Sequence, residues 1–140
     1  AAGQEILLVE DNPVNQTVIE AMLRSLGYRV TLVADGIQAV RSAERQHYDA
    51  ILMDCRLPVL DGYSATREIR AQENGRQVPI IALTANALQG DRENCLQAGM
   101  NDYLAKPFKR AELQRILRRW IGSQPELPVT SNETGRREPE

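Results

Sequence analysis

Aromatic residues, histidine and cysteine are scarce in this sequence. Aromatic side chains account for 4% of its 140 residues, and the chain has one histidine and two cysteines. Two cysteines are too few for the disulfide framework of a small secreted domain, and with His47 alone they form no recurring zinc-ligand spacing. We therefore interpret Cys55 and Cys95 as reduced thiols and expect a cytoplasmic protein.

Long hydrophobic runs and an excess of one charge are also absent. No apolar segment approaches the ~20 residues that span a bilayer, and the first residues lack the order of a signal peptide. The 17 basic and 19 acidic residues give a net charge of -2, which supplies no positive field for nucleic acid or an anionic membrane. We expect this chain to bind neither, which leaves open a membrane anchor elsewhere in a longer parent protein.

The hydrophobic content of 42% is enough for one core, and it occurs as short apolar runs that alternate with amphipathic segments. The runs are apolar at successive positions, which is typical of parallel strands covered by helices on both faces. The predicted strands cover residues 6–9, 30–33, 50–53, 78–83 and 102–105. The predicted helices cover residues 13–26, 37–46, 63–72, 88–98 and 110–121. The pattern predicts an α/β fold of five strand–helix units.

We expect an N-terminal extension at residues 1–4, one folded domain at 5–122 and a disordered tail or linker at 123–140. The tail has almost no large apolar residues, so nothing in it offsets the entropy lost on ordering. The first helix is predicted to begin at Pro13, with Asn12 as its N-cap. Four apolar side chains are expected on the buried face of this helix: Val14, Val18, Met22 and Leu26.

Polar residues follow four of the predicted strands. Glu10 and Asp11 follow the first strand, Asp54 the third, Thr84 the fourth and Lys106 the fifth. In a doubly wound sheet, ligands bind beyond the carboxyl ends of the strands, so we expect these side chains in one cleft. Three carboxylates repel each other and a single lysine cannot neutralise them, which predicts a bound divalent cation. Oxygen ligands favour magnesium, Mg²⁺, over zinc or copper.

This combination of groups resembles a site that forms and holds an acyl phosphate. Asp54 stands alone at the end of the central strand and is the candidate phosphoacceptor, whereas the adjacent Glu10 and Asp11 suit metal binding. The metal and the Lys106 ammonium would neutralise charge on the phosphoryl oxygens, and the Thr84 hydroxyl would bind one of them.

Five short motifs fall at or just after the predicted strand ends. They are Val9-Glu10-Asp11-Asn12-Pro13, Met53-Asp54, Leu57-Pro58-Val59-Leu60-Asp61-Gly62, Ala82-Leu83-Thr84-Ala85 and Lys106-Pro107-Phe108. In this order they resemble the receiver domain of two-component signalling, especially the receivers fused to hybrid sensor histidine kinases. The resemblance extends from about Glu5 to Ile121.

The resemblance implies a flavodoxin-like, doubly wound parallel sheet of five strands in the order 2-1-3-4-5, with helices on both faces. It implies Asp54 as the phosphoacceptor. It also implies an Mg²⁺ site formed by Glu10, Asp11, Asp54 and the backbone carbonyl of Arg56. An uncharged residue is more usual at position 56, so the rate at which water reaches the acyl phosphate is left open.

For the phosphoryl group itself, the resemblance implies contacts from Thr84 and Lys106, with a cis peptide bond between Lys106 and Pro107. It matches Tyr103 to an aromatic switch that turns inward when the threonine moves toward the phosphoryl group. The alternative for Tyr103 is a half-buried aromatic with a solvated hydroxyl. Acidic neighbours should raise the pKa of Cys55, so we expect this thiol to pack and not to react.

The function implied is a phosphorelay step in which a histidine kinase or a histidine phosphotransfer domain donates its phosphoryl group to Asp54. The domain would catalyse its own phosphorylation and dephosphorylation. It would be either part of a histidine kinase or a stand-alone regulator. An aspartyl phosphatase is a weaker alternative, because such enzymes need a second acid where Arg56 stands. A nucleotide or flavin binder would need glycine in the acidic first turn. A receiver fold that only docks partners would not need its acids, threonine and lysine.

Overall fold

Five β-strands alternate with five α-helices in the computed structural model, which describes residues 4–57, 59–73, 75–85 and 89–121. The strands are β1 (Glu5–Val9), β2 (Arg29–Val33), β3 (Ala50–Asp54), β4 (Ile80–Thr84) and β5 (Asp102–Ala105). The helices are α1 (Pro13–Ser25), α2 (Gly36–Arg45), α3 (Gly62–Arg70), α4 (Gln89–Ala98) and α5 (Arg110–Ile121). The predicted tail at 123–140 lies outside the described residues, as do residues 1–3, Pro58, Leu88 and the predicted domain end at 122.

All the strands pair in parallel, in the order β2-β1-β3-β4-β5. This confirms the predicted fold class and strand order. Every residue of β3 and of β4 is buried, because helices cover both faces of the sheet. Burial on both faces explains why these strands are apolar at successive positions.

Side chains on alternate strand positions form two hydrophobic layers. One layer packs between the sheet and helices α2, α3 and α4, and includes Leu7, Ile51, Ile80, Ala65, Ile69 and Cys95. The other packs between the sheet and helices α1 and α5, and includes Leu8, Leu52, Ile81, Ile19, Leu23, Leu113 and Leu117. Within the described residues, each helix is too short or too polar to cross a lipid bilayer.

The buried face of α1 differs from the prediction. Ile19 and Leu23 are its buried residues, whereas Val14 is 70% exposed and Val18 is 48% exposed. The other two predicted positions pack only partly against the core. Two apolar stripes run along this helix about 100° apart, and only one of them meets the sheet. The prediction for Val14 and Val18 was therefore wrong.

Three boundaries of β3 and β4 also differ from the prediction. Strand β4 begins at Ile80 instead of residue 78, since Pro79 has no backbone N–H to donate to a neighbouring strand. Asp54 and Thr84 are the last residues of their strands and not the first residues beyond them. The main chain at both positions is therefore held by pairing within the sheet.

Candidate functional site

A cavity of about 440 Å³ lies at the carboxyl ends of the strands. Its lining includes all three predicted acids together with Arg56, Tyr63, Thr84, Asn94 and Lys106. A larger cavity of about 790 Å³ lies near the amino ends of β3 and β4 and is lined by the exposed His47. Among the described residues, the three acids within metal-binding distance of one another lie in the smaller cavity. We therefore identify the smaller cavity as the candidate site.

The structure brings together Glu10, Asp11 and Asp54, as the sequence predicted. One carboxylate oxygen from each residue lies within 4.8 Å of the others. Glu10 and Asp54 are buried and Asp11 is exposed, so the cluster opens to solvent on one side. The Nζ of Lys106 lies 3.2 Å from Oε1 of Glu10 and 3.1 Å from Oδ2 of Asp54. One ammonium leaves the cluster negatively charged, and this oxygen donor set fits a hard divalent cation.

Lys106 is held as a cation between two buried carboxylates. Burial lowers the pKa of Lys106, but the facing carboxylates of Asp54 and Glu10 outweigh burial, so its pKa is raised above the usual value. Lys106 therefore keeps its proton at neutral pH and presents a fixed positive charge beside Asp54.

Glu10 is held at every polar atom. Its backbone N–H donates to the carbonyl of Val33 (3.1 Å), and its Oε2 accepts from the backbone N–H of Asn12 (3.1 Å). The side-chain Nε2 of Gln16 donates to the carbonyl of Glu10 (2.7 Å), and Lys106 contacts the remaining carboxylate oxygen. Gln16 was not among the predicted site residues. Its position in the sequence could have indicated this role. Gln16 lies one helical turn after Asn12, the N-cap of α1, and Asn12 directly follows Glu10 and Asp11.

Asp54 is positioned by the loop that follows β3. Its Oδ1 accepts from the backbone N–H of Arg56 (3.1 Å), and its Oδ2 contacts Lys106. The loop closes when the N–H of Gly62 donates to the carbonyl of Cys55 (3.2 Å). A Cβ at position 62 would lie 2.2 Å from the backbone oxygen of Asp54, so only glycine permits α3 to begin here. The Arg56 carbonyl as a metal ligand stays a prediction.

Thr84 and Lys106 reach the cleft from neighbouring strands. Thr84 is buried, pairs in register with Ala105, and accepts at its backbone oxygen from the N–H of Lys106 (2.7 Å). The peptide bond between Lys106 and Pro107 is cis. The main chain of β4 thus sets the position from which the lysine side chain extends toward Asp54.

Tyr103 lies on the same face of the sheet as Thr84. It pairs in register with Ala82, two residues before Thr84, and strand residues two apart point to the same face. The ring is half-buried against the layer that contains α3 and α4. The Arg92 guanidinium lies 5.9 Å from the ring centroid, a cation–π contact that was not predicted from the sequence. The switch role of Tyr103 stays a prediction.

Cys55 is a buried thiol next to the candidate acceptor. Burial raises its pKa to about 12, Cys95 and Asp54 add smaller increases, and a hydrogen bond with Tyr63 opposes them. The predicted direction is confirmed, but the main cause is burial instead of acidic neighbours. A thiol that stays protonated at neutral pH is a poor nucleophile, so its role here is packing.

Comparison with known proteins places these features in a family. A family model described as response regulator receiver domain matches residues 6–118. Among solved structures, the receiver domain of sensor histidine kinase PA1611 from Pseudomonas aeruginosa PAO1, with magnesium coordinated in its active site cleft, is 98% identical. That match has a TM-score of 0.83 and covers 87% of this chain and 100% of the other.

Two further matches concern signalling partners and parent proteins. A Saccharomyces cerevisiae receiver domain, that of Ssk1 co-crystallised with the histidine phosphotransfer protein Ypd1, is 32% identical. Its TM-score is 0.80, and the match covers 90% of this chain and 92% of that one. Sensor protein GacS of Pseudomonas syringae pv. syringae is 38% identical over 120 residues, which cover 84% of this chain. The chain spans only 13–19% of the length of the first curated relatives that it matches.

Proposed function

The chain belongs to the response regulator receiver domain family, and on that premise we propose that it is the phosphoacceptor domain of a two-component phosphorelay. The observation that carries the proposal is the buried Asp54, which faces Lys106 at 3.1 Å inside a cluster of three carboxylates. Asp54 is the nucleophile, and Glu10 and Asp11 share with it the binding of Mg²⁺. The Mg²⁺ in the 98% identical receiver domain supports this assignment of the cluster.

The reaction joins an Asp54 carboxylate oxygen to the phosphorus of a donor phosphohistidine while the phosphorus–nitrogen bond breaks. The donor imidazole leaves with the electron pair and takes up a proton, and an acyl phosphate remains on Asp54. When bound, Mg²⁺ supplies positive charge that screens the repulsion between the carboxylates and the incoming phosphoryl oxygens.

Lys106 and Thr84 stabilise the phosphoryl group from the protein side. The Lys106 ammonium already lies between Glu10 and Asp54, so it neutralises an equatorial oxygen without a large rearrangement. Thr84 lines the same cavity and offers its hydroxyl as a hydrogen-bond donor. We assign dephosphorylation to the same cleft, where water reaches the acyl phosphate past the exposed side chain of Arg56.

The donor docks on the apolar rim beside the cleft. This apolar rim is a second cavity of about 500 Å³, whose lining includes Val18, Met22, Pro107 and Phe108. Three residues line both this cavity and the Asp54 cavity: Asn15, Ala85 and Lys106. The exposed Val18 adds apolar surface that α1 does not bury in the core. A phosphohistidine reaches Asp54 if its domain packs against this rim. The Ypd1 complex of a related receiver supports a histidine phosphotransfer domain or a histidine kinase as that partner.

We place the domain in a hybrid sensor histidine kinase, because the relatives include sensor kinases several times longer than this chain. A cytoplasmic location stays a prediction, which the two free thiols support. The absence of nucleic-acid binding also stays a prediction.

Intact-mass spectrometry after incubation with acetyl phosphate and Mg²⁺ tests the acceptor. The wild type should gain one phosphoryl group that alkaline hydroxylamine removes, and EDTA should prevent the gain. Asp54→Asn should gain none. Asp49→Asn is the matched control, because Asp49 directly precedes the amino end of the same strand and its Oδ2 accepts from the backbone N–H of Glu5 (2.8 Å), far from the acidic cluster. Phosphorylation of Asp54→Asn at the wild-type rate would contradict the assignment.

A further inference from the structure

Asp11 is the least constrained member of the acidic cluster. Its side chain is exposed, whereas Glu10 and Asp54 are buried and both contact Lys106. Within the part of the chain that the structure describes, the Asp11 carboxylate forms no ion pair. An exposed side chain loses conformational entropy when it is immobilised on a metal ion. A main chain that is already held in position lowers this cost, because fewer torsion angles remain to be fixed.

The peptide groups on both sides of Asp11 are held by side chains. The peptide group between Glu10 and Asp11 contains the Glu10 carbonyl oxygen, which accepts from Nε2 of Gln16 (2.7 Å). The peptide group between Asp11 and Asn12 contains the Asn12 N–H, which donates to Oε2 of Glu10 (3.1 Å). The φ and ψ angles of Asp11 are the rotations between these two rigid planes. The two hydrogen bonds together therefore fix the backbone of Asp11.

Helix α1 in turn holds Gln16. The backbone N–H of Gln16 donates to the carbonyl of Asn12 (2.9 Å), and the Asn12 side chain accepts from the N–H groups of Val14 (2.9 Å) and Asn15 (3.1 Å). A carbonyl oxygen can only accept, so the Gln16 amide must face Glu10 with its nitrogen. Glu10 is fully buried and Gln16 is half-buried, so water has little access to this bond.

We propose that Gln16 is a positioning residue for Mg²⁺, which holds the peptide group between Glu10 and Asp11 so that the Asp11 carboxylate lies ready for the metal. This role rests on the proposed function, in which Glu10, Asp11 and Asp54 bind Mg²⁺. Gln16 does not line the Asp54 cavity, so it acts through the main chain and not as a ligand. Partners that orient metal ligands in this way change metal affinity by about ten-fold or more.

Titration of the unphosphorylated chain with Mg²⁺, followed by backbone amide NMR, tests the proposal. Gln16→Met removes the donor but keeps the side-chain length and the helix propensity. We expect its Kd for Mg²⁺ to rise by about ten-fold. Gln114→Met is the matched control, because Gln114 is a half-buried glutamine in helix α5 that does not line the Asp54 cavity. Its Kd should equal that of the wild type, and equal Kd values in all three proteins would overturn the proposal.

A double-mutant cycle separates positioning of Asp11 from a general role of Gln16 in the start of α1. In the Asp11→Asn background, Gln16→Met should weaken Mg²⁺ by much less than ten-fold, because the carboxylate that Gln16 positions is gone. If Gln16→Met weakens Mg²⁺ equally in both backgrounds, it does not act through Asp11 and the proposal is wrong.

The metal-free protein gives an independent measurement. In EDTA, Gln16→Met should shift the amide signal of Asp11, since that N–H belongs to the peptide group that Gln16 holds. Gln114→Met should leave this signal where it is in the wild type. An Asp11 signal that is the same in Gln16→Met and the wild type would count against the proposal.

Phosphorylation by acetyl phosphate at varied Mg²⁺ links the positioning role to the reaction. The Mg²⁺ concentration that gives half the maximal rate should rise in Gln16→Met by the same factor as the Kd. A rate reduced by one factor at every Mg²⁺ concentration would overturn the proposal. If Gln16→Met binds Mg²⁺ like the wild type while wild-type Asp54 is phosphorylated, the role of Gln16 is wrong and the assignment of Asp54 stands.

Discussion

The three acids of the cluster repel one another, so the free energy of unfolding changes directly when one of them is removed or when a metal ion binds. The carboxylate oxygens of the cluster lie within 4.8 Å of one another. At that distance two unit charges repel by about 0.9 kcal/mol in water and about 3.5 kcal/mol at an effective dielectric constant near 20. Asp11 is the exposed member, so the lower value applies to it. Lys106 contacts the other two acids and offsets part of their charge. Without metal, Asp11→Asn should therefore stabilise the fold by about 1 kcal/mol, or about 4 °C in Tm.

Thermal unfolding followed by circular dichroism measures this effect in EDTA at low salt and pH 7. Glu68→Gln is the matched control, because Glu68 is an exposed acid on α3 and not a member of the cluster. Surface changes of this kind alter stability by less than about 0.5 kcal/mol. The gain of Asp11→Asn should shrink when salt is added, because the exposed carboxylate is screened.

Addition of Mg²⁺ should reverse the order of the two proteins. A ligand at ten times its Kd stabilises the wild type by about 1.4 kcal/mol, whereas Asp11→Asn has lost one of the three clustered carboxylates and should gain much less at the same concentration. If Asp11→Asn is no more stable than the wild type in EDTA and gains equally from Mg²⁺, Asp11 neither repels the other acids nor contributes to metal binding.

Two other predictions address the switch and the buried thiol. Thr84→Ala should still accept a phosphoryl group on Asp54, but beryllofluoride should shift the amide signals of Tyr103 and α4 much less, since a hydrogen bond of about 1.5 to 3 kcal/mol is lost. A full wild-type pattern would exclude this coupling. Cys55, with a pKa near 12 when folded, should resist iodoacetamide until the chain is denatured. Folding raises this pKa, so the protonated thiol favours the folded state. Its contribution to the free energy of unfolding is complete below about pH 9 and falls by about 1.4 kcal/mol per pH unit toward pH 12. Rapid labelling of the folded protein, or stability flat from pH 9 to 11, would contradict this.

The alternation of apolar runs and amphipathic segments was enough to predict the α/β class, and β5 and α5 have the predicted bounds. Prediction worked here because a strand buried on both faces is apolar at successive positions, which is a local property of the sequence. It failed on α1, where two apolar stripes were available and Val14 and Val18 were assigned to the core. Which stripe is buried depends on how the helix is rotated against the sheet.

The order of strands and polar residues along the chain is enough to predict which chemical groups meet in the cleft, because parallel strands end at one edge and a residue at a strand end lies at that edge. The contacts that hold those groups in place could not be predicted in this way, because they depend on how the helices pack against the sheet. The bond from Gln16 to the Glu10 carbonyl and the placement of Arg92 over Tyr103 join atoms of different elements. Their distances follow from helix packing, in which a small rotation moves a side-chain end by several ångströms. The residues of the site can therefore be predicted from the sequence at each strand end, whereas the distances between them depend on the whole fold.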